Sequence, residues 1–295
     1  MPSLESLQKR IKTTQDLRDI VSMMKTLSSV SILQYDEALV SLKGYRKNIR
    51  DAFHALVKRG NLPPTFFNTL HKNGKTLVVL IGTDSGMVGR FNTELQKKAL
   101  TDLQESQILL SDTLFIAIGK RVIGQLSSKK VTLFAKYAIS NSIKTVNSLA
   151  GTLIIKIHEA IQKEKVSSVF VYYHKREAEG GISLEKMKLL PSDKSAYEKL
   201  RQKPWETNNI PLITMQPQML FEALIKEYLM IELCSMLTYS LSAEHHTRMI
   251  NMQNAEKNID ESLDALNLEY QQKRQDAITE ELIDVVSGAQ ALKKN

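Results

Sequence analysis

A glycine-rich turn, Gly82-Thr83-Asp84-Ser85-Gly86-Met87-Val88-Gly89-Arg90-Phe91-Asn92, follows the apolar run Thr76-Leu77-Val78-Val79-Leu80-Ile81. A doubly wound fold places its phosphate loop at such a point, where backbone N–H groups cradle an anion at a helix N-terminus. A dinucleotide loop needs G-x-G-x-x-G, and a P-loop needs a Gly-Lys-Ser/Thr ending whose lysine reaches the terminal phosphates. This turn has neither. Its glycines read as a tight strand-to-helix turn, and no cofactor is expected. Asp84 and Ser85 need a histidine beside them to act as a nucleophilic pair, and His158 and His174 are distant in sequence. His245 and His246 are adjacent in a helical stretch, so they point about 100° apart and cannot share one metal on that helix face. Cys234 is the only cysteine, which excludes an internal disulfide or a cysteine cage and reads as packed core. The cluster Asp260-Glu261-Asp264 reads as a solvated helix face. No catalytic residue and no metal ligand is expected.

The elements that must position these residues are announced by the helix breakers. Every proline but Pro2 and every glycine but Gly288 lies between Gly44 and Pro217. That distribution predicts a helix, a globule and a helix: a coiled-coil helix over 1–60, an α/β domain with its linker over 61–216, and a long coiled-coil helix over 217–295. From Gln218 to Ser287 nothing interrupts a helix, and seventy residues make a rod of roughly 105 Å. A globule of this chain length has a diameter of about 50 Å, so the rod is expected to project and to need a partner for its apolar face.

In the first arm Leu4, Leu7 and Ile11 begin a 3-4 stripe that is expected to shift and resume as Leu17, Ile20, Met24 and Leu27. In the second arm Ile259, Leu263, Leu266 and Tyr270, then Ile278, Leu282, Val285, Ala289 and Leu292, continue such a stripe. Only the polar stretch Gln271 to Asp276 interrupts it; its side chains are expected to face water or meet a third protein, since a seam that gives up packing gains specificity or a partner contact. With a globule between them, the arms are predicted to return on each other as an antiparallel coiled coil.

The middle alternates strand and helix signals. Strands are predicted at Thr76–Ile81, Thr113–Ile118, Val131–Ala135 and Ser168–Tyr173, and helices at Thr93–Gln104, Arg121–Ser127 and Val146–Lys163. After Glu179-Gly180-Gly181, the segment Ile182–Leu190 is expected to pair back as a hairpin strand, and Pro191–Pro217 reads as a linker. The fold class is therefore a doubly wound, Rossmann-like α/β domain carrying long helices.

Charge narrows the function. The net charge of +8 invites a nucleic-acid reading, but residues 1–60 carry 11 Lys/Arg against 6 Asp/Glu, and residues 217–295 carry 7 against 13. The arms have opposite signs and attract, whereas a nucleic-acid arm is basic throughout. A hydrophobic content of 42% is enough for a core, and no apolar run approaches the ~20 residues of a membrane span. The N-terminus has the look of neither a secretory signal nor a transit peptide, which fits a bacterial cytoplasmic protein. From the residues alone, a coiled-coil scaffold or a nucleic-acid-binding arm on an α/β domain remains as the alternative, with a nucleotide-dependent enzyme using the Gly82–Asn92 turn as a third reading.

Several of these stretches resemble the gamma subunit of F-type ATP synthases. Ser242-Ala243-Glu244-His245-His246-Thr247-Arg248-Met249-Ile250-Asn251-Met252-Gln253-Asn254-Ala255 is similar to that family's S-E-x-x-A-R-M-x-A-M-x-N-A. Arg274-Gln275-Asp276-Ala277-Ile278-Thr279-Glu280-Glu281-Leu282 is similar to R-Q-A-A-I-T-Q-E-L, and Val286-Ser287-Gly288-Ala289 to V-x-G-A. At the front, Arg10-Ile11-Lys12 and Ile20-Val21-Ser22-Met23-Met24-Lys25 match R-I-K and I-T-K-A-M-K at equal spacing. Arg90 and Phe91 depart from the family's S-D-R-G-L-C-G-G-x-N loop, Leu17-Arg18 from its T-Q, and Ser28-Ser29-Val30-Ser31 from its A-A-S-K. These departures point to a divergent branch, of the kind found in alternative sodium-moving bacterial complexes.

The resemblance implies a non-catalytic central-stalk rotor, coupling transmembrane flow of protons or sodium to the cycling of catalytic β subunits. It implies an α3β3 hexamer, an epsilon subunit and a c-ring as partners. It also implies a peripheral place on the cytoplasmic face of the bacterial inner membrane, reached only through the complex. By position, Arg274, Gln275, Thr279 and Glu281 match residues that hydrogen-bond a β-subunit loop, Arg248 matches another rotor contact, and Met24 and Lys25 match the facing patch on the first helix. The extreme C-terminus is implied to sit in an apolar sleeve.

Overall fold

The computed structural model describes residues 3–59, 74–129, 131–140, 142–177, 179–191, 199–200, 202–205 and 209–293, with the backbone alone over 288–293. Residues 192–198, 201 and 206–208 of the expected linker lie outside the described residues, as do the side chains of Ala289 and Leu292. Two long helices, α1 (Leu4–Lys58) and α5 (Pro217–Lys293), bracket an α/β segment. Between them come β1 (Lys75–Ile81), α2 (Phe91–Glu105), β2 (Thr113–Ile118), α3 (Lys120–Ser127), β3 (Thr132–Tyr137), α4 (Ile143–Glu164), β4 (Val166–Arg176) and β5 (Ile182–Leu190). The contacts divide the chain into two units, Met1–Ser29 with Arg248–Asn295 and Val30–Thr247.

The larger unit is built on a five-stranded sheet in the order β3-β2-β1-β4-β5. The first four strands run parallel, and β5 returns antiparallel on β4, as the Gly-Gly turn predicts. Each apolar run is long enough for one strand and too short for a helix, and β1 and β2 are buried on both faces. One face carries α4 together with Leu233, Met236 and Leu237 of α5, and α1 adds Tyr35. The other face carries α2 and α3 through Leu95, Leu103, Val122 and Leu126. At roughly 1.5–3 kcal/mol for each fully buried large aliphatic side chain, the two cores dominate the stability of this unit. A third cluster joins Ile49 and Leu56 of α1 to Phe221 and Leu224 of α5.

Cys234 is buried, as expected, and donates a weak hydrogen bond to Asn147 Oδ1 at 3.3 Å. Burial pushes its thiol up to about 11, away from reactive thiolate chemistry. No helix among the described residues is long and apolar enough to cross a membrane.

Candidate partner-binding surface of the paired helices

The smaller unit pairs the start of α1 with the end of α5. Arg18 Nε donates to Asp260 Oδ1 at 2.5 Å, Lys25 to Glu256, and Ser29 Oγ to Met249 Sδ at 3.2 Å. From Arg18 to Ser29 the first helix advances eleven residues while its partner retreats eleven, so the pair is antiparallel. The hydrogen bond from Lys25 holds the Glu256 carboxyl below the usual carboxylate range. Buried residues are Leu7, Val21 and Ser28 on α1 and Arg248, Met252, Leu263 and Leu266 on α5. With half-buried Leu4, Ile11, Thr14 and Lys25, the α1 side steps by 3 and 4 without interruption if Arg18 is counted in the seam.

This frame corrects the expected shift of the α1 stripe. Leu17, Ile20 and Leu27 are 50%, 55% and 60% exposed, and of the four residues assigned to the resumed seam only Met24 is half-buried. The reason lies on α5, where the opposing positions are Glu256 and Asp260, so Arg18, at the exposed margin, and half-buried Lys25 face α5 and hold the frame. A one-residue slip would put Leu17 against Asp260 and Met24 against Glu256. The displaced residues, joined by exposed Met23, form an outward apolar stripe.

On α5 the expected seam holds through Ile259, Leu263, Leu266 and Tyr270, then continues with half-buried Lys273 and Ala277. Gln271, Gln272, Arg274, Gln275 and Asp276 point outward, so the polar stretch is a surface and not a break in packing. Ile278, Leu282 and Val285, expected in the seam, are 48%, 61% and 70% exposed. The register explains it. Fourteen residues back from Arg18 brings α1 to its first residue, Leu4, and fourteen on from Asp260 brings α5 to Arg274. Beyond that level α5 runs without α1 beside it, yet stays apolar through Ile283 and Val286 as well.

The residues singled out by sequence fall into two environments. Arg274, Gln275, Thr279 and Glu281 are all exposed on this last stretch, where the Thr279 hydroxyl donates to the Gln275 carbonyl at 2.9 Å. Lys25 is engaged with Glu256, Met24 is half-buried, and Arg248 is buried inside the unit. Sequence reasoning missed the outward stripe Leu17, Ile20, Met23 and Leu27. The signal that could have found it is the pair of acids, Glu256 and Asp260, occurring in reverse order to Arg18 and Lys25.

In the larger unit the glycine-rich turn is filled from within. Asn92 Oδ1 accepts the Thr83 N–H at 3.0 Å, and its Nδ2 donates to Thr83 Oγ1 at 2.9 Å. Asp84 Oδ1 accepts the N–H of Lys120 at 2.8 Å and of Ile139 at 3.1 Å, which places a carboxylate against the start of α3. Gly119, at φ +102°, allows this closure, since a Cβ there would lie 2.6 Å from Thr83 N. The crevice past the carboxyl ends of β1 and β4, the usual ligand site of such sheets, receives α5 instead. Ser240 Oγ donates to the Ile81 carbonyl at 3.1 Å, and Ala243 packs on Val88 and Phe91.

The histidines are likewise dispersed. His174 lies buried with its ring stacked 3.7 Å from Phe91, His245 is buried beside Tyr35, and His246 Nε2 donates to the Gly180 carbonyl at 3.0 Å. His158 is exposed on α4.

A family model described as ATP synthase matches residues 3–292. The ATP synthase gamma chain of Geotalea uraniireducens is 25% identical over 298 residues, covering 99% of this chain and all of the relative. That of a Wolbachia strain is 27% identical over 300 residues with the same coverage. Among solved structures, a chain of the Euglena gracilis mitochondrial ATP synthase, from a structure of its OSCP, F1 and c-ring, aligns with a TM-score of 0.61 at 15% identity, over 98% of this chain and 94% of that one. A chain of the Tetrahymena thermophila central stalk and c-ring gives 0.54 at 16% identity, over 80% and 99%. The two long antiparallel helices and the intervening parallel sheet are the fold these chains share, and over nearly its whole length this chain belongs to the ATP synthase family, among its gamma chains.

Proposed function

We propose that this chain is the non-catalytic central-stalk rotor of an F-type ATP synthase, turning within a hexamer of α and β subunits and coupling ion flow to their conformational cycle. The observation that carries the reading is the end of α5 beyond Arg274. An isolated helix is marginal in water and keeps its form by burying an apolar face. Here Ile278, Leu282, Ile283, Val285 and Val286 all stand exposed, so a surrounding sleeve from other subunits accounts for them.

In this reading Arg274, Gln275, Thr279 and Glu281 bond a β-subunit loop, and the outward stripe of α1 with Met24 and Lys25 meets the same subunits on the other side. As the helix pair turns, each catalytic subunit meets a different face, and its preferred conformation changes with the contact. Residues 1–60 and 217–295 serve as the shaft. Residues 61–216 serve as the domain that binds an epsilon subunit and a c-ring, on the cytoplasmic face of a bacterial inner membrane. The transported ion, proton or sodium, is set by the ring. Opposite charges on the paired arms neutralise each other, which disfavours a nucleic-acid arm.

Reconstitution tests this. The purified chain alone is expected to hydrolyse no ATP, and with α and β subunits of its own source to form a stable complex with ATPase activity. Leu282→Pro breaks α5 at a cost of about 3 kcal/mol or more. It is expected to leave unfolding of the larger unit unchanged while reducing assembly or turnover. A chain that fails to join the hexamer, or a Leu282→Pro variant that assembles and turns over normally, refutes the rotor reading.

A further inference from the structure

The two edges of the sheet differ. On β5 the outer strand carries Glu185, Lys186 and Lys188, the charged guards that natural edge strands use against further pairing. Lys186 lies over the Phe170 and Tyr172 rings and within 3.3 Å of Asp102. The opposite edge, β3, reads Thr-Leu-Phe-Ala-Lys-Tyr and has one charge. None of its six residues is buried, and among the described residues no strand pairs with its outer side.

Backbone direction on β3 follows from one bond. The Tyr137 carbonyl accepts the Gly119 N–H at 2.8 Å, so Tyr137 turns its backbone groups toward β2. Alternation along a parallel ladder then turns the N–H and C=O of Lys136 outward, where a further strand would meet them. Positive charge predominates around this edge: Glu159, near Tyr137, is held by Lys156 and Lys163, and Asp84 is held by the Lys120 and Ile139 N–H groups. From Thr113 to His158, through β2, α3, β3 and most of α4, there is no Asp or Glu and there are seven Lys or Arg. Lys120, Arg121, Lys129, Lys136 and Lys144 are all exposed.

We propose that the outer edge of β3 is a docking site at which an extended, acidic segment of another subunit of the assembly adds a sixth strand to this sheet. An unpaired ladder of N–H and C=O groups is satisfied by a strand and not by a helix, and main-chain bonds give such additions their affinity. The cationic surroundings select an acidic strand and disfavour a second copy of this chain, which would bring the same lysines together. The proposal rests on the rotor reading for the identity of the assembly.

Hydrogen exchange with residue-level readout tests it, on the isolated chain and on the chain within the purified ATP synthase complex. The Lys136 amide is expected to exchange on the order of 100-fold more slowly in the complex, while the outer amides of β5 change little. Lys136→Glu keeps the outward donor while reversing the charge beside it, and its residue-136 amide is expected to lose that protection.

Equal exchange in and out of the complex overturns the proposal. So does protection that survives Lys136→Glu, which means the edge is covered without regard to charge, or protection that grows with concentration in the isolated chain, which means self-pairing. A chain absent from the complex overturns the rotor reading and the docking strand with it. A chain present there with an unprotected β3 overturns the docking strand alone.

Discussion

His174 gives the most direct handle on the stability of the larger unit. It sits on β4, 3% exposed, with its ring stacked 3.7 Å from Phe91 and its Nδ1 without a hydrogen-bond partner among the described residues. Burial lowers its pKa from the ordinary 6.5 to about 4. The unfolded chain therefore takes up a proton near pH 6.5 while the folded chain resists until about pH 4. Above pH 6.5 both forms are neutral and nothing is lost. As pH falls below 6.5 the unfolded state is favoured, and below pH 4 the loss is complete. At about 1.4 kcal/mol for each pKa unit, this side chain alone costs the fold about 2 kcal/mol by pH 5 and about 3 kcal/mol by pH 4.

His174→Phe keeps a ring against Phe91 and removes the titration. Urea unfolding followed by the fluorescence of Trp205, the single tryptophan and a member of the same unit, is to be measured from pH 7 to pH 4 for both proteins. Carboxylates that titrate in this range are common to the two, so the difference isolates His174. Wild type is expected to lose ground steadily against the variant between pH 6.5 and pH 4. Parallel profiles would refute the assignment of a neutral, desolvated imidazole at this position.

Two further outcomes follow from geometry. Gly119→Ala is expected to destabilise the larger unit by at least about 1–2 kcal/mol in the same unfolding assay, from its left-handed backbone and from a Cβ 2.6 Å from Thr83 N. Gln275→Ala with Thr279→Ala is expected to leave circular dichroism nearly unchanged, since alanine is the better helix former, yet to lower ATPase or synthesis in the assembled complex. Unchanged turnover would remove both residues from the β-subunit contact.

Most of the sheet is legible in the chain because its signals are local. Thr113–Ile118 and Ile182–Leu190 are bounded in the structure where the sequence bounds them, and β1 differs by one residue at its start. Each is an apolar or alternating run between turn residues, which a strand satisfies and a helix does not. The pairing frame of α1 is not local. That helix carries two apolar stripes, and periodicity alone cannot say which one meets the partner. The choice is made by Glu256 and Asp260, more than two hundred residues away, which draw Lys25 and Arg18 toward α5 and turn Leu17, Ile20 and Leu27 out.

The same limit applies to the end of α5. Its apolar residues look like seam, and only the register reveals that α1 has already ended. The stacking of Phe91 on His174 joins residues 83 positions apart and leaves no trace in spacing. Among the residues singled out for partner contact, the exposed group around Arg274 could be placed on the surface from its polarity. Arg248, equally polar, is buried.

In sheets of this architecture the gap past the carboxyl ends of the strands is commonly where a small molecule comes and goes, and its occupancy alters the stiffness of everything around it. Here the gap is filled by the polypeptide itself, through Ser240 against Ile81 and Ala243 against Val88 and Phe91. Strand ends and helix are thereby joined within one chain, so the stiffness of this anchorage comes from packed side chains and a bond to the main chain, as a mechanical linkage requires.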